Sequence, residues 1–279
     1  MNKTKIEWCD YTWNPVTGCL HNCPYCYARR IANRFGGASE THYNECVGVE
    51  CQWYTEETGE THDLTEPIYD VDRGQNAPYP FGFDPTFFRY RLIEPQKLKK
   101  PSKIFVVSMG DLFGEWVPDE WIKSVFEACE KAPQHTYLFL TKNPERYTDL
   151  YLKKAFPYKV NFWFGSTITK YGDDFTWFRD TPYQSFLSIE PLLERMINPS
   201  GLKYINWVIV GAGTGNRKDK VVPKKEWVQD IVNWCRELNI PVFMKDSLIP
   251  IWGEDLIREY PKGIAEGIVT GKQIGRAHV

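Results

Sequence analysis

From Lys103 onward, short apolar runs alternate with amphipathic stretches. The runs are Ile104–Ser108, Tyr137–Thr141, Phe162–Ser166, Ser185–Ile189, Trp207–Val210 and Pro241–Lys245, rich in β-branched and aromatic residues. Runs this continuous are expected for strands covered on both faces. Between them, Asp119–Lys131 places Trp121, Ile122, Val125, Phe126 and Cys129 on one helical face, with Asp119 as its cap. Pro144–Phe156 and a short stretch near Asp174–Asp180 also read as helical. So does Glu226–Leu238, whose apolar side carries Trp227, Ile231 and Trp234. Strand and helix alternating over short connections predict an α/β fold with a parallel sheet and right-handed crossovers. Six or seven such units, with no dinucleotide fingerprint at the first turn, predict a partial or complete (β/α) barrel. Its working face lies at the C-terminal ends of the strands.

The first hundred residues are less regular. Tyr11–Thr17 reads as a first strand with an irregular end, because Pro15 does not suit a central strand. A helix is predicted from near Tyr25 to about Arg34, stopped by Gly36 and Gly37. Residues 38–100 carry poor periodicity, many acidic residues, Cys46 and Cys51, and read as an insertion folded over one end of a single domain, 1–279. The aromatics of Tyr79–Pro85 predict a packed loop within it. The tail 271–279 breaks the composition, reads as an artefactual end, and is left out of functional reasoning.

Composition narrows the class. With 279 residues, 42% hydrophobic and 15% aromatic, the chain can bury a large core. A net charge of −2 argues against a broad polyanion-binding surface. No apolar run approaches about 18 residues, so no membrane-spanning helix is expected. The N-terminus is polar, unlike a signal peptide. Eight cysteines in a chain this long do not make a disulfide scaffold, and a reducing cytoplasm fits them.

Three of those cysteines stand close together: Cys19, Cys23 and Cys26, at Cys-x3-Cys-x2-Cys spacing. Three thiolates on one short loop can converge on one object. A structural zinc needs a fourth ligand, which His21 or Cys9 can offer. A [4Fe–4S] cluster held by three thiolates keeps one iron without a protein ligand, open to a small molecule.

The triplet, with Tyr25 just before the third cysteine, resembles the cluster motif of the radical S-adenosylmethionine (SAM) superfamily. Lys5–Trp8, Thr12–Cys19, Cys26–Ala28, Ser108–Phe113, Leu140–Lys142, Phe186–Leu193 and Trp207–Gly211 resemble the phage Gp37/Gp68 family, a radical-SAM-like group also called DUF5131. These blocks run from residue 5 to about 245. The resemblance implies an open (β/α) barrel of the radical SAM type, with six to seven parallel strands. It also implies a [4Fe–4S] cluster on Cys19, Cys23 and Cys26, SAM on the open iron, and a reductant such as flavodoxin or ferredoxin. The activity implied is reductive cleavage of SAM to a 5′-deoxyadenosyl radical that takes hydrogen from a substrate. A nucleotide or nucleic acid is suggested by the phage-type likeness.

The remaining candidates sit at predicted strand ends. Ser108 ends the run Ile104–Ser108 and Asp111 follows it, where the superfamily's turn contacts the methionine ammonium group; alternatively Asp111 closes its own turn. Ser166, Ser188 and Glu190 can hold the ribose and carboxylate of SAM, or can cap and close strand ends. Gly211, with Gly213 and Gly215, lets backbone approach a cofactor; the stretch lacks the third glycine of a Rossmann fingerprint and departs from the family's Gly-Gly-Glu-Ser-Gly. Arg217, Lys218 and Lys220 form a local positive field suited to an anionic substrate. Cys46 and Cys51 read as free thiols, and Cys129 and Cys235 as core residues. Two rival readings are a non-catalytic zinc-binding module of a phage or mobile element, and a Rossmann-like nucleotide-binding protein.

Overall fold

Seven parallel strands in sequence order make the main sheet, with one short antiparallel strand on its edge. In the computed structural model, residues 1–36, 58–70, 73–173, 175–179, 181–197, 201–214 and 220–265 are described. Cys46, Cys51, Arg217, Lys218 and the tail 271–279 lie outside the described residues. In chain order the strands are β1 (Asn2–Lys3), β2 (Tyr11–Trp13), β3 (Val16–Thr17), β4 (His62–Leu64), β5 (Tyr69–Asp70), β6 (Gln75–Asn76), β7 (Thr86–Phe88), β8 (Lys103–Val106), β9 (Thr136–Thr141), β10 (Phe162–Ile168), β11 (Gln184–Ile189), β12 (Trp207–Val210) and β13 (Val242–Met244). The helices are α1 (Tyr27–Phe35), α2 (Glu94–Lys97), α3 (Asp119–Glu130), α4 (Glu145–Leu152), α5 (Lys225–Glu237), α6 (Ile249–Trp252) and α7 (Lys262–Ala265).

The main sheet runs β1-β2-β8-β9-β10-β11-β12-β13. Among the described residues no strand pair joins β13 back to β1 or β2, so no closed barrel forms. The strand period of two divides the side chains between two cores. Ile104, Val106, Tyr137, Phe139, Phe162 and Phe164 face the buried residues of α3, α4 and α5. Phe105, Leu138, Trp163, Phe186, Trp207 and Phe243 point the other way, into a second cluster closed by Trp8, Ile6, Tyr260 and Ile264. Helices α3, α4 and α5 therefore cover one face. The opposite face is filled by segments from both ends of the described chain. Gly165 on β10 belongs to this second face: a Cβ there would stand 2.4 Å from the Phe186 ring, so glycine is what lets β10 and β11 pair beside that aromatic.

The predicted strands from Lys103 onward are all present, within a few residues of their expected ends. Three local expectations need correction. Asp119 does not cap α3; Pro118 occupies that position without a side-chain bond. Asp119 instead binds Arg146 and Lys153, and as the first helical residue its charge suits the positive helix end. On α5 the fully buried side chains are Val228, Ile231, Val232 and Cys235, whereas Trp227 and Trp234 only pack partly against the core. The third correction is that Tyr11–Thr17 breaks at Asn14 and Pro15. Its first half joins the main sheet, and its second half, β3, joins a small sheet ordered β3-β7-β4. That small sheet and the pair β5–β6 give order to the part of the insertion that is described. The packed loop is there as expected: Phe81 and Phe83 are buried, and Phe83 and Tyr79 pack against Ala28 and Ala32 of α1.

Candidate functional site

The cysteine loop is docked by backbone contacts before any side chain acts. Gly18 forms a bridge to Gly110, and its N–H donates to the Met109 carbonyl at 2.9 Å. Gly18 has φ +87°, and a Cβ there would stand 2.2 Å from the Asp84 carbonyl oxygen, so no other residue fits. The Cys19 N–H donates to the Phe83 carbonyl at 3.1 Å, and the Arg29 guanidinium to the Cys19 carbonyl at 3.1 Å. Cys26 is the N-cap of α1, its sulfur accepting the Arg29 N–H at 3.3 Å. Just inside α1, the Tyr27 hydroxyl donates to the Ser108 carbonyl at 2.6 Å.

Asp111 is the polar centre of this docking. It is 4% exposed. Its Oδ1 accepts the Phe113 N–H at 3.0 Å. Its Oδ2 accepts the Thr141 hydroxyl at 3.0 Å and the Lys142 N–H at 2.9 Å, and lies 2.9 Å from His21 Nε2. A carboxylate oxygen only accepts, so the His21 ring donates through Nε2. Lys142 makes a second tie to the loop, its ammonium donating to the Tyr25 hydroxyl at 3.2 Å. Burial, and after it the Asp111 charge, pushes the Cys19 thiol up to about 12.

The other wall is an ion pair. Lys245, just after β13, lies 2.5 Å from Glu190 Oε1, just after β11, and 3.9 Å from Glu7 Oε2. Both members of the close pair are mostly buried, with side chains 14% and 23% exposed. A Cβ on Gly211 would stand 3.1 Å from both Glu190 Cδ and Lys245 Cδ, so this glycine makes room for the pair.

Between these walls lies a cavity of about 370 Å³. Cys19, Cys23 and Cys26 line it on one side; Glu190, Lys245, Ala212, Gly213 and Thr214 line the other. Ile6, Trp8, Phe105, Val107 and Leu140 give it an apolar floor. Val107 has φ +59°, a strained setting for a β-branched residue. Among the described residues no group of three or more His, Cys, Asp or Glu side chains is placed to hold a single metal ion.

A family model described as "Protein of unknown function (DUF5131)" matches residues 3–272. The chain belongs to the DUF5131 family. No curated protein and no solved structure matches it. For this family member, the fold brings together most of the residues that the sequence singled out. Cys19, Cys23, Cys26, Ser108, Asp111, Ser188 and Glu190 all line the one cavity. Ser166 does not: it faces away, with its hydroxyl buried and unpaired, and its neighbour Thr167 lines the cavity instead. Gly211 acts one layer behind, through the ion pair. Cys9 is buried beside Trp8 and does not line the cavity, which removes it from the site as a fourth ligand. Lys220 lies outside the lining, although it approaches the position of a Gly213 Cβ at 3.6 Å. Sequence reasoning missed Lys245 and Glu7. Lys245 had a usable signal, a cation at the end of a buried strand; Glu7 had none, because its role depends on where the N-terminal segment crosses the sheet. No described helix is long and apolar enough to cross a membrane.

Proposed function

We propose that this protein is a radical SAM enzyme whose loop cysteines hold a [4Fe–4S] cluster and whose strand ends hold SAM. One observation carries the reading: the three thiols of a Cys-x3-Cys-x2-Cys loop and polar groups at the ends of β8, β9, β10, β11 and β13 open on the same cavity. The donor set fits the group, because a cluster takes each thiolate at a separate iron and does not need three sulfurs around one point. A parallel sheet wound in sequence order, open at its edges and with its second face filled, also suits the open barrel of such enzymes. When bound, the cluster supplies one electron to cleave SAM reductively.

The chain's own residues do the rest. Cys19, Cys23 and Cys26 would hold the cluster, and Cys19 and Cys26 pack beside Met109 and Phe83. Thr167 and Ser188 would offer hydroxyls to the ribose of SAM, and the Glu190–Lys245 pair would offer a carboxylate and a cation to its amino and carboxylate groups. Trp8, Phe105 and Leu140 give adenine or a substrate ring an apolar bed. Asp111 is reassigned by its own bonds: with four donors already on its two oxygens it holds the loop rather than SAM. The substrate remains a nucleotide or nucleic acid by proposal, the donor a flavodoxin- or ferredoxin-like reductant, and the setting the cytoplasm.

The zinc reading keeps one observation in its favour. His21 donates Nε2–H to a carboxylate and leaves Nδ1 for a metal, which is how zinc-bound histidines are commonly held. Metal analysis separates the two. Anaerobically purified protein is expected to hold about four irons and four sulfides per chain, where a zinc module would hold about one zinc. With dithionite and SAM it should form 5′-deoxyadenosine. Full iron retained in the Cys19, Cys23 and Cys26 triple alanine variant, or no product from a fully loaded protein, overturns the reading.

A further inference from the structure

We infer that His21 and Asp111 form a clamp that sets the position of the cysteine loop relative to the ends of β8 and β9, making both positioning residues rather than ligands of SAM. The inference rests on the reading above only for what the loop carries.

The geometry is specific. His21 stands between Cys19 and Cys23, and its ring reaches the turn after β8, where Nε2 lies 2.9 Å from Asp111 Oδ2. The Asp111 carboxylate collects that ring and three donors from fixed backbone or strand-end positions: the amides of Phe113 and Lys142, and the Thr141 hydroxyl. Two of these lie just beyond β9 or at its last residue, and one lies in the turn that Gly110 brings against Gly18. One buried carboxylate therefore ties three separate chain segments at a single point. Trp116 packs edge-on against the His21 ring at 4.8 Å and limits its rotation.

A charge-assisted bond to a buried acceptor is stronger than a neutral one, and a buried carboxylate that loses a donor is costly. The loop's other attachments include backbone bonds from Gly18 and Cys19, the Arg29 contact to the Cys19 carbonyl, the bond between Tyr25 and Lys142, and the Tyr27 hydroxyl on the Ser108 carbonyl. Groups that orient ligating residues from behind commonly change metal affinity by about 10–100-fold when removed.

The test uses the full chain in two states. In metal-free protein, hydrogen exchange of the amides in 18–27 is followed for wild type, His21→Ala, His21→Gln and Asp111→Ala. His21→Ala should speed exchange across the loop about tenfold or more, while β10 and β12 keep wild-type rates. His21→Gln retains an N–H near the same point and should restore most of the protection. In iron-loaded protein, release to a chelator should follow the same order, with His21→Ala about tenfold or more faster than wild type. Should Asp111→Ala loosen β10 and β12 as well, it has unfolded, and His21→Ala with its glutamine rescue decides. Wild-type loop exchange in His21→Ala, or no rescue by glutamine, overturns the clamp. If wild type binds no iron, the enzymatic reading fails while the exchange data still decide the clamp.

Discussion

At the scale of single residues, the pair Glu190–Lys245 is the sharpest case of charge held out of water. Its side chains are less than a quarter exposed and separated by 2.5 Å. Removing Lys245 leaves Glu190 without its close partner, and removing Glu190 leaves Lys245 only the longer contact to Glu7; for a fully buried pair the loss of a partner costs about 3–5 kcal/mol. Here the cavity lends some solvent, so Glu190→Gln and Lys245→Met should each destabilise by about 2–3 kcal/mol in urea unfolding. The double variant should cost less than the sum of the two, since neither member of the close pair is left behind as a charge. Additive losses would mean that the two side chains do not depend on each other. Ser166 shows the opposite condition: its buried, unpaired hydroxyl has nothing to give a ligand, and a one-residue step along β10 puts Thr167 into the cavity in its place.

At the scale of elements, the loop 18–26 and the turn after β8 are one unit, because Gly18 and Gly110 bring their backbones into contact. A Cβ on Gly110 would stand 2.6 Å from the Gly18 carbonyl oxygen, and one on Gly18 would meet the Asp84 carbonyl. Gly18→Ala adds a positive-φ penalty to that clash, so it should destabilise by at least about 2 kcal/mol and reduce iron loading. Thermal unfolding and iron content check this together. A variant with wild-type Tm and iron would mean that the loop docks elsewhere. The adjoining helix α1 needs only its cap at Cys26 and the buried Ala28 and Ala32, which explains why its limits were legible from sequence to within two residues.

At the scale of the whole molecule, the net charge of −2 conceals a local run of cations. Arg217, Lys218 and Lys220 belong to the segment that follows β12 at its C-terminal end, and Lys220, the described member, adjoins Gly213 of the cavity wall. If the substrate is a nucleic acid, binding to short DNA or RNA should weaken as salt rises. Changing Arg217, Lys218 and Lys220 together to Gln should lower both the affinity and the salt slope. An unchanged slope would take the nucleic acid away from this edge, leaving a substrate held within the cavity alone.

The alternation of apolar runs with amphipathic helices determined the α/β class and the positions of β8 to β13, because a strand buried on both faces must be continuously apolar whatever lies against it. Cysteine spacing likewise marked the loop, since three residues in one short turn stay close in any fold. Tertiary structure decided the rest. Which hydroxyl of Ser166 and Thr167 meets the cavity depends on strand register, and a shift of one residue reverses it. The role of Asp111 depends on donors from residues 21, 113, 141 and 142, which only folding gathers around one carboxylate. Glu7, Glu190 and Lys245 meet across 238 positions of sequence, because the end of β13 and the N-terminal segment are packed at the same edge of the cavity. Long-range electrostatic contacts of that kind leave no local pattern, since each member, read alone, is an ordinary charged residue beside a strand or a turn.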